Sequence, residues 1–244
     1  VKNIQKKAED IAIVQLKLPS SDRFTFLAGQ YVDILLKDGK RRSYSMANAP
    51  NNDNLIELHI RHTPGGAFTD AIFGDGTPSI NAIKEKDILR LEGPLGTFFL
   101  REDSSRPIIF LASGTGFAPI KAVIESAISK GIEREMNLFW GVRTPDELYM
   151  SELALSWAKK IDNFKYTPVI SDEIAKKNWG GEIGLVHNAV ISKFPNMRNY
   201  SVYSCGAPIM VQSAHKDFVE KCNLPEEQFF SDAFTTAADT AKLK

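Results

Sequence analysis

Four stretches carry side chains that could do chemistry. Arg42-Ser43-Tyr44-Ser45 brings a guanidinium, an aromatic face and hydroxyls to one strand end. Strand alternation sends Arg42 and Tyr44 to one side and Ser45 to the other. A guanidinium suits a pyrophosphate, an aromatic ring suits the face of a planar heterocycle, and a hydroxyl can bond a ring nitrogen. Alone, these residues read as a surface arginine and a barrel tyrosine. Pro64-Gly65-Gly66-Ala67-Phe68-Thr69 is a turn running into a helix N-terminus, a backbone nest suited to phosphate, with Arg61 upstream as a candidate for phosphate or ribityl contact. Gly114-Thr115-Gly116-Phe117-Ala118-Pro119 follows an apolar run and opens an amphipathic pattern, so its glycines let backbone N–H groups approach a phosphate. Pro119 stands where the dinucleotide fingerprint has its third glycine and is expected at the first helical position. Taken alone, this loop is also a tight strand-to-helix turn. Cys205-Gly206-Ala207-Pro208 ends a buried strand and opens a helix, which puts a thiol where open α/β sheets bind ligands. Cys222 has no such setting and reads as structural. His59 and His62 read as strand-surface residues, and two histidines without a third ligand give no expectation of a metal site.

The elements that must position these groups change character along the chain. Alternating runs at Ile11–Leu18, Tyr31–Leu36, Leu55–Ile60 and Ile88–Glu92 predict strands. Turn residues at Leu18-Pro19, Ala28-Gly29, Lys37-Asp38-Gly39, Ala49-Pro50-Asn51-Asn52 and Gly93-Pro94-Leu95-Gly96 separate them. That pattern predicts a small antiparallel β-barrel over 1–102, with a short helix around Phe68–Phe73. Arg101–Arg106 reads as a linker. Beyond it, continuous apolar runs at Pro107–Ala112, Met136–Gly141, Lys165–Ile170 and Tyr200–Cys205 alternate with helical patterns at Ile120–Ile128, Ser151–Ile161 and Ile209–Lys221. Strands buried on both faces, alternating with helices, predict an α/β nucleotide-binding domain with a parallel sheet over 107–244.

Composition narrows the partners. Lys and Arg total 30 and Asp and Glu total 30 in 244 residues, so the basic excess that drives nucleic-acid binding is missing. No apolar run approaches the roughly 20 residues of a membrane helix, and the chain is read as cytoplasmic, with no membrane partner. Val1 in place of an initiator Met suggests a piece of something longer. Two cysteines do not make a disulfide framework and cannot supply the four thiolates of a plant-type iron–sulfur cluster.

In this order, the four stretches resemble the ferredoxin–NADP reductase family in its broad sense, which covers bacterial flavin reductases and oxygenase reductases. The resemblance runs from about Ile11 to Phe234. Phe26–Tyr31, Arg41–Ser45, Glu92–Leu100, Trp140-Gly141-Val142-Arg143 and Asp146–Tyr149 are similar to the branch of CDP-6-deoxyglucoseen reductases and NAD(P)H-flavin reductases. It implies that the barrel holds FAD and the α/β domain NADH or NADPH. Hydride would pass from the nicotinamide to flavin N5, and electrons then to an iron–sulfur or other acceptor. Arg42 would pair with the flavin pyrophosphate, Tyr44 stack on its ring and Ser45 bond near N5. Arg61, Gly65, Gly66, Phe68 and Thr69 would serve the flavin phosphates. Gly114, Thr115, Gly116 and Pro119 would form the nucleotide loop, with Arg143 near the ribose, and Cys205, Gly206 and Pro208 would form the nicotinamide turn. Asp232 would be a proton-relay acid partnered with Ser45 and Cys205, and Phe234 would cover the flavin. Asp146 and Glu147 would repel a 2′-phosphate, which favours NADH. The branch's sugar-pathway members carry an N-terminal [2Fe-2S] domain whose cysteines this sequence lacks, and ten residues follow Phe234 where many members end. Two other readings stay open: a reductase that uses flavin as a diffusible substrate, and a non-catalytic nucleotide-binding module.

Overall fold

The computed structural model describes residues 1–19, 24–50, 55–74, 82–172 and 179–234. It divides into two units, Val1–Leu100 with Lys121–Gly131, and Arg101–Ile120 with Ile132–Lys244. The turn expected at Ala49–Asn52 runs outside the described residues, as do the ten residues after Phe234.

The first unit contains β1 (Asn3–Ala8), β2 (Ile11–Lys17), β3 (Tyr31–Leu35), β4 (Arg41–Ser45), β5 (Leu55–Arg61), helix α1 (Ala67–Phe73) and β6 (Arg90–Leu95). These strands form two antiparallel sheets, ordered β1-β2-β5 and β4-β3-β6, joined by an antiparallel bridge between Met46 and Leu58. Alternation decides the packing: Ile56, Leu58 and Ile60 point into a core shared with Val14, Val32 and Phe68. The observed β6 begins two residues later than the expected strand. Ile88 is 92% exposed, and the expected turn residues Gly93-Pro94-Leu95 continue the strand beside Tyr31, where the register shifts. An irregular ladder of this kind accommodates a proline that a regular one would exclude. Strand β1, which pairs along β2, went unread because its lysines and glutamine mask the alternation.

The second unit is a parallel sheet with helices packed on it. In chain order it contains β7 (Ile108–Ser113), α2 (Phe117–Ser129), β8 (Met136–Val142), α3 (Ser151–Lys160), β9 (Phe164–Ile170), β10 (Glu182–Ile183), α4 (Val186–Lys193), β11 (Ser201–Gly206), α5 (Pro208–Cys222) and β12 (Phe229–Ala233). The sheet order is β10-β9-β8-β7-β11-β12, every pairing parallel. Central strands β7 and β8 are almost wholly buried, as their apolar runs require. From β7 the chain winds outward through β8, β9 and β10, then returns to β11 and β12 on the other side. The winding therefore reverses between β7 and β11, the place where open α/β sheets bind ligands at the strands' carboxyl ends. Residues 121–131 of α2 group with the first unit and the helix's first turn with the second.

Candidate functional site

In the first unit β4 pairs antiparallel with β3, which sets Tyr44 opposite Val32 and Ser45 opposite Tyr31. Tyr44 is half-buried, its ring 5.4 Å from that of Phe68, and burial pushes its phenol well above the usual range. Arg42 donates to the Arg41 carbonyl at 2.8 Å and makes no ion pair among the described residues. Ser45 is buried, and its hydroxyl has no hydrogen-bond partner among the described residues. Thus Arg42 and Ser45 keep polar atoms uncommitted on the two sides of one strand, while Tyr44 is wedged against α1.

Nearby, Gly66 N–H donates to the Thr63 carbonyl at 2.8 Å and closes the turn before α1. The Thr69 hydroxyl is consumed in holding that turn, within 2.9 Å of Thr63 O and 3.1 Å of Gly66 O. Phe68 is buried in the barrel core. The structure thus assigns Thr69 and Phe68 local work in shaping the turn. Arg61 lies against Asp10, its Nε 3.0 Å from Oδ2.

The histidines depart from expectation. His59 is buried, because its neighbours form a polar pocket on the face of β5 that turns away from the barrel core. Its Nε2 lies 3.1 Å from Glu57 Oε1, and burial holds the imidazole below its ordinary pKa, so it serves as a neutral donor. His62 is half-buried, 2.9 Å from Asp70 Oδ1 and stacked on Phe73.

That polar pocket has a centre that the sequence reading missed. Lys121 Nζ donates to Ala47 O at 2.9 Å and stands 3.1 Å from Glu57 Oε1 and 3.0 Å from Glu125 Oε1. Gln15 donates to the other oxygen of Glu57 at 3.2 Å. Burial opposes ionisation of Glu57, but the His59 bond and the Lys121 charge outweigh it and bring its pKa down to about 2. Lys121 and Glu125 stand four apart as the two charged residues of a largely apolar helix, and that spacing was the available signal.

In the second unit the two loops meet at the sheet's reversal. Gly114–Gly116 forms a 3-10 turn leading straight into α2. Pro119 is therefore the third residue of the helix, not the first, and is tolerated because first-turn N–H groups have no intrahelical acceptor. A Cβ on Gly116 would stand 2.1 Å from the Cys205 carbonyl oxygen, and one on Gly206 would stand 2.1 Å from Ser113 Oγ. Ser113 Oγ accepts the Ala207 N–H at 2.9 Å, so the two loops are latched to each other. Only glycine fits at either position. Pro208 occupies the first turn of α5.

Cys205 is fully buried and sits in register with Asp232 on the neighbouring parallel strand, so both side chains share one sheet face. Burial, and then the Asp232 charge, raises the thiol well above its usual range; burial also raises Asp232. Phe234 N–H donates to the Gly206 carbonyl at 2.9 Å. Arg143 is exposed and lies 3.2 Å from Glu147, so its charge is already paired. Cys222, the last residue of α5, is buried in the core with Val190 and Phe218, as a structural residue. Among the described residues no cluster of three or more His, Cys, Asp or Glu could hold a metal, and no helix is long and apolar enough to cross a membrane.

Comparison with known proteins gives two family matches, an oxidoreductase FAD-binding domain over residues 1–100 and an oxidoreductase NAD-binding domain over 110–216. The chain is 44% identical over 232 residues to the CDP-6-deoxy-L-threo-D-glycero-4-hexulose-3-dehydrase reductase of Yersinia pseudotuberculosis, covering 95% of this chain and 67% of that protein. It is 32% identical to a probable flavin reductase of Aliivibrio fischeri, with 86% of each covered. The crystal structure of the cytochrome P450 reductase GcoB from Amycolatopsis superposes with a TM-score of 0.86 at 31% identity, over 97% of this chain and 68% of that one. This chain thus spans about two thirds of the longer relatives.

Proposed function

The chain belongs to the oxidoreductase family that joins an FAD-binding domain to an NAD-binding domain, and from that premise we propose how its residues divide the work. It is an oxidoreductase whose cofactors are FAD and a nicotinamide dinucleotide. The FAD domain is residues 1–102 and the nucleotide domain 107–244. With both groups bound, the two units would support hydride transfer from nicotinamide to flavin and electron delivery to an iron–sulfur or other acceptor in the cytoplasm.

The residues fit both groups. Gly116 and Gly206 open a backbone cradle where any side chain would collide, and Gly114 to Pro119 present a helix N-terminus to a pyrophosphate. Beyond the one bond to the Arg41 carbonyl, Arg42 has guanidinium N–H groups left for phosphate, Ser45 has an uncommitted hydroxyl for a ring nitrogen, and Tyr44 offers its ring. Gly65 and Gly66 bring backbone to the flavin phosphates, over a turn that Thr69 and Phe68 hold in shape. When bound, FAD supplies the conversion of a two-electron hydride into single-electron steps. Cys205, its thiol raised by burial, would line the nicotinamide turn and keep water from it without acting as a nucleophile. Asp232, its carboxyl pushed up by burial, stands in register beside it on the same sheet face as the proton-relay acid. Glu147 pairs with Arg143, the cation expected near the ribose, which supports NADH over NADPH.

The observation that carries this reading is the pair of glycine contacts at the sheet's reversal, with Cys205 and Asp232 in register beside them. Anaerobic addition of NADH to the FAD-loaded protein should bleach the flavin absorbance. Failure to take up FAD, or retention of colour in excess NADH, overturns the reading. A second reading has one specific support, the similarity to a probable flavin reductase of matching extent. Flavin that washes out on desalting while NADH oxidation still needs added flavin would favour it.

A further inference from the structure

Trp140 is the largest fully buried side chain, and its role reaches beyond filling the core. It stands near the carboxyl end of β8, beside Ala112 of β7 and two residues short of the nucleotide loop in register. Its indole Nε1–H donates to the Gly114 carbonyl at 2.9 Å. Its face lies on the ring of Phe117, centroids 3.9 Å apart and planes 9° from parallel, and Tyr149 meets its edge at 5.2 Å. On the opposite face of the sheet a Cβ on Gly141 would stand 2.6 Å from Val186, so the end of β8 is gripped between α4 and the aromatic stack. The indole has no freedom to turn.

A buried indole N–H needs an acceptor, and here the acceptor belongs to the loop. The Phe117 N–H reaches the same Gly114 carbonyl, so the first residue of α2 and a strand one place away fix one oxygen together. In a trans peptide the carbonyl and the following N–H point in opposite directions. Pinning Gly114 C=O toward the core therefore aims the Thr115 N–H away from it. We propose that Trp140 is a positioning residue for the dinucleotide: it orients the Gly114–Thr115 peptide so that the Thr115 N–H faces a phosphate. The inference rests on the nucleotide reading above and adds a residue that touches no ligand.

Two substitutions separate this role from packing. Trp140→Phe keeps a ring against Phe117 and deletes the donor. Trp140→His keeps a donor, since imidazole Nε2 occupies the place of indole Nε1, and deletes the benzo ring. Calorimetric titration of ADP-ribose into the oxidised FAD-loaded protein reads the loop without turnover. The phenylalanine variant should bind about tenfold more weakly, a loss of about 1.4 kcal/mol, and the histidine variant close to the parent. Reduction by 1-benzyl-1,4-dihydronicotinamide, which has no phosphate, should proceed at the parent rate in both. Parent-like ADP-ribose affinity in the phenylalanine variant overturns the proposal. So does a folded histidine variant that loses as much as the phenylalanine one. Should the phenylalanine variant fail to fold, Trp140→Leu, which also lacks the donor, takes its place, and parent-like ADP-ribose affinity there overturns the proposal. A parent protein that binds no ADP-ribose overturns the nucleotide reading instead.

Discussion

Lys121→Met should destabilise the first unit strongly at neutral pH, and the loss should fade in acid. The Lys121 side chain is 6% exposed and Glu57 17%, so the ion pair sits largely out of water. Methionine fills the same channel without a charge and leaves Glu57 ionised without its cation. Removing one partner of a buried pair costs about 3–5 kcal/mol. Glu57 itself gives an independent estimate. Its carboxyl titrates at about 2 instead of 4.5, because the His59 bond and the Lys121 charge together outweigh burial. At roughly 1.4 kcal/mol per pH unit that gap is about 3 kcal/mol, shared between the two partners.

A depressed carboxylate pKa stabilises the fold above the unfolded value and loses that contribution as pH falls through the folded one. The Glu57 contribution is therefore complete above about 4.5 and is lost between there and about 2. Glu125, raised by burial, works in the opposite sense as pH climbs past its ordinary value. All three tryptophans, Trp140, Trp157 and Trp179, belong to the second unit, so their fluorescence is the wrong probe. Far-UV circular dichroism with amide exchange in β5 follows the right region. At pH 7 the melting temperature should drop by about 10 °C, at about 2–4 °C per kcal/mol for a chain of this length. The difference from the parent should shrink as pH falls below about 4.5. Adding Glu57→Gln should restore more than half of the loss, because no buried anion then remains at that position. A drop under about 1 kcal/mol at pH 7, or one that does not change with pH, would refute the reasoning.

Other outcomes follow from the same coordinates. Gly116→Ala drives a methyl group into the Cys205 carbonyl and should abolish NAD+ binding by calorimetry while FAD stays bound; retained affinity would show that the loop can give. Cys205 is buried with a raised thiol, so iodoacetamide at pH 8 should label it far more slowly than a free peptide thiol, as read by mass spectrometry. Glu147→Gln releases Arg143, and the ratio of kcat/KM for NADPH over NADH should rise about fivefold, the scale of one exposed ion pair; an unchanged ratio would place the 2′-hydroxyl elsewhere.

Legibility followed the range of each interaction. Strands β2, β3 and β5 and the α/β alternation from β7 onward were readable because alternation and apolar runs are local patterns. The glycine loop, the cysteine turn and the arginine-tyrosine strand were readable because a backbone cradle or an aromatic face needs particular residues at fixed spacing. Strands β1, β10 and β12 and helix α4 were not, since β1 is polar, β10 is two residues long, α4 is a short helix of eight residues and β12 is recognised only by pairing beside β11. His59 was misread for the same reason: nothing near it in the chain announces that Lys121, more than sixty residues later, supplies the charge that lets Glu57 and His59 be buried.

The order of motifs thus determined two nucleotide-handling units and their cofactors. Tertiary structure alone decided which atoms are committed. It tied the Thr69 hydroxyl into a turn, paired Arg143 with Glu147, set Asp232 in register with Cys205 and hung the Gly114 carbonyl on Trp140. The physical reason is that a hydrogen bond or ion pair depends on ångström distances between residues far apart in the chain. A linear pattern records which groups exist, and only the folded backbone sets which of them meet.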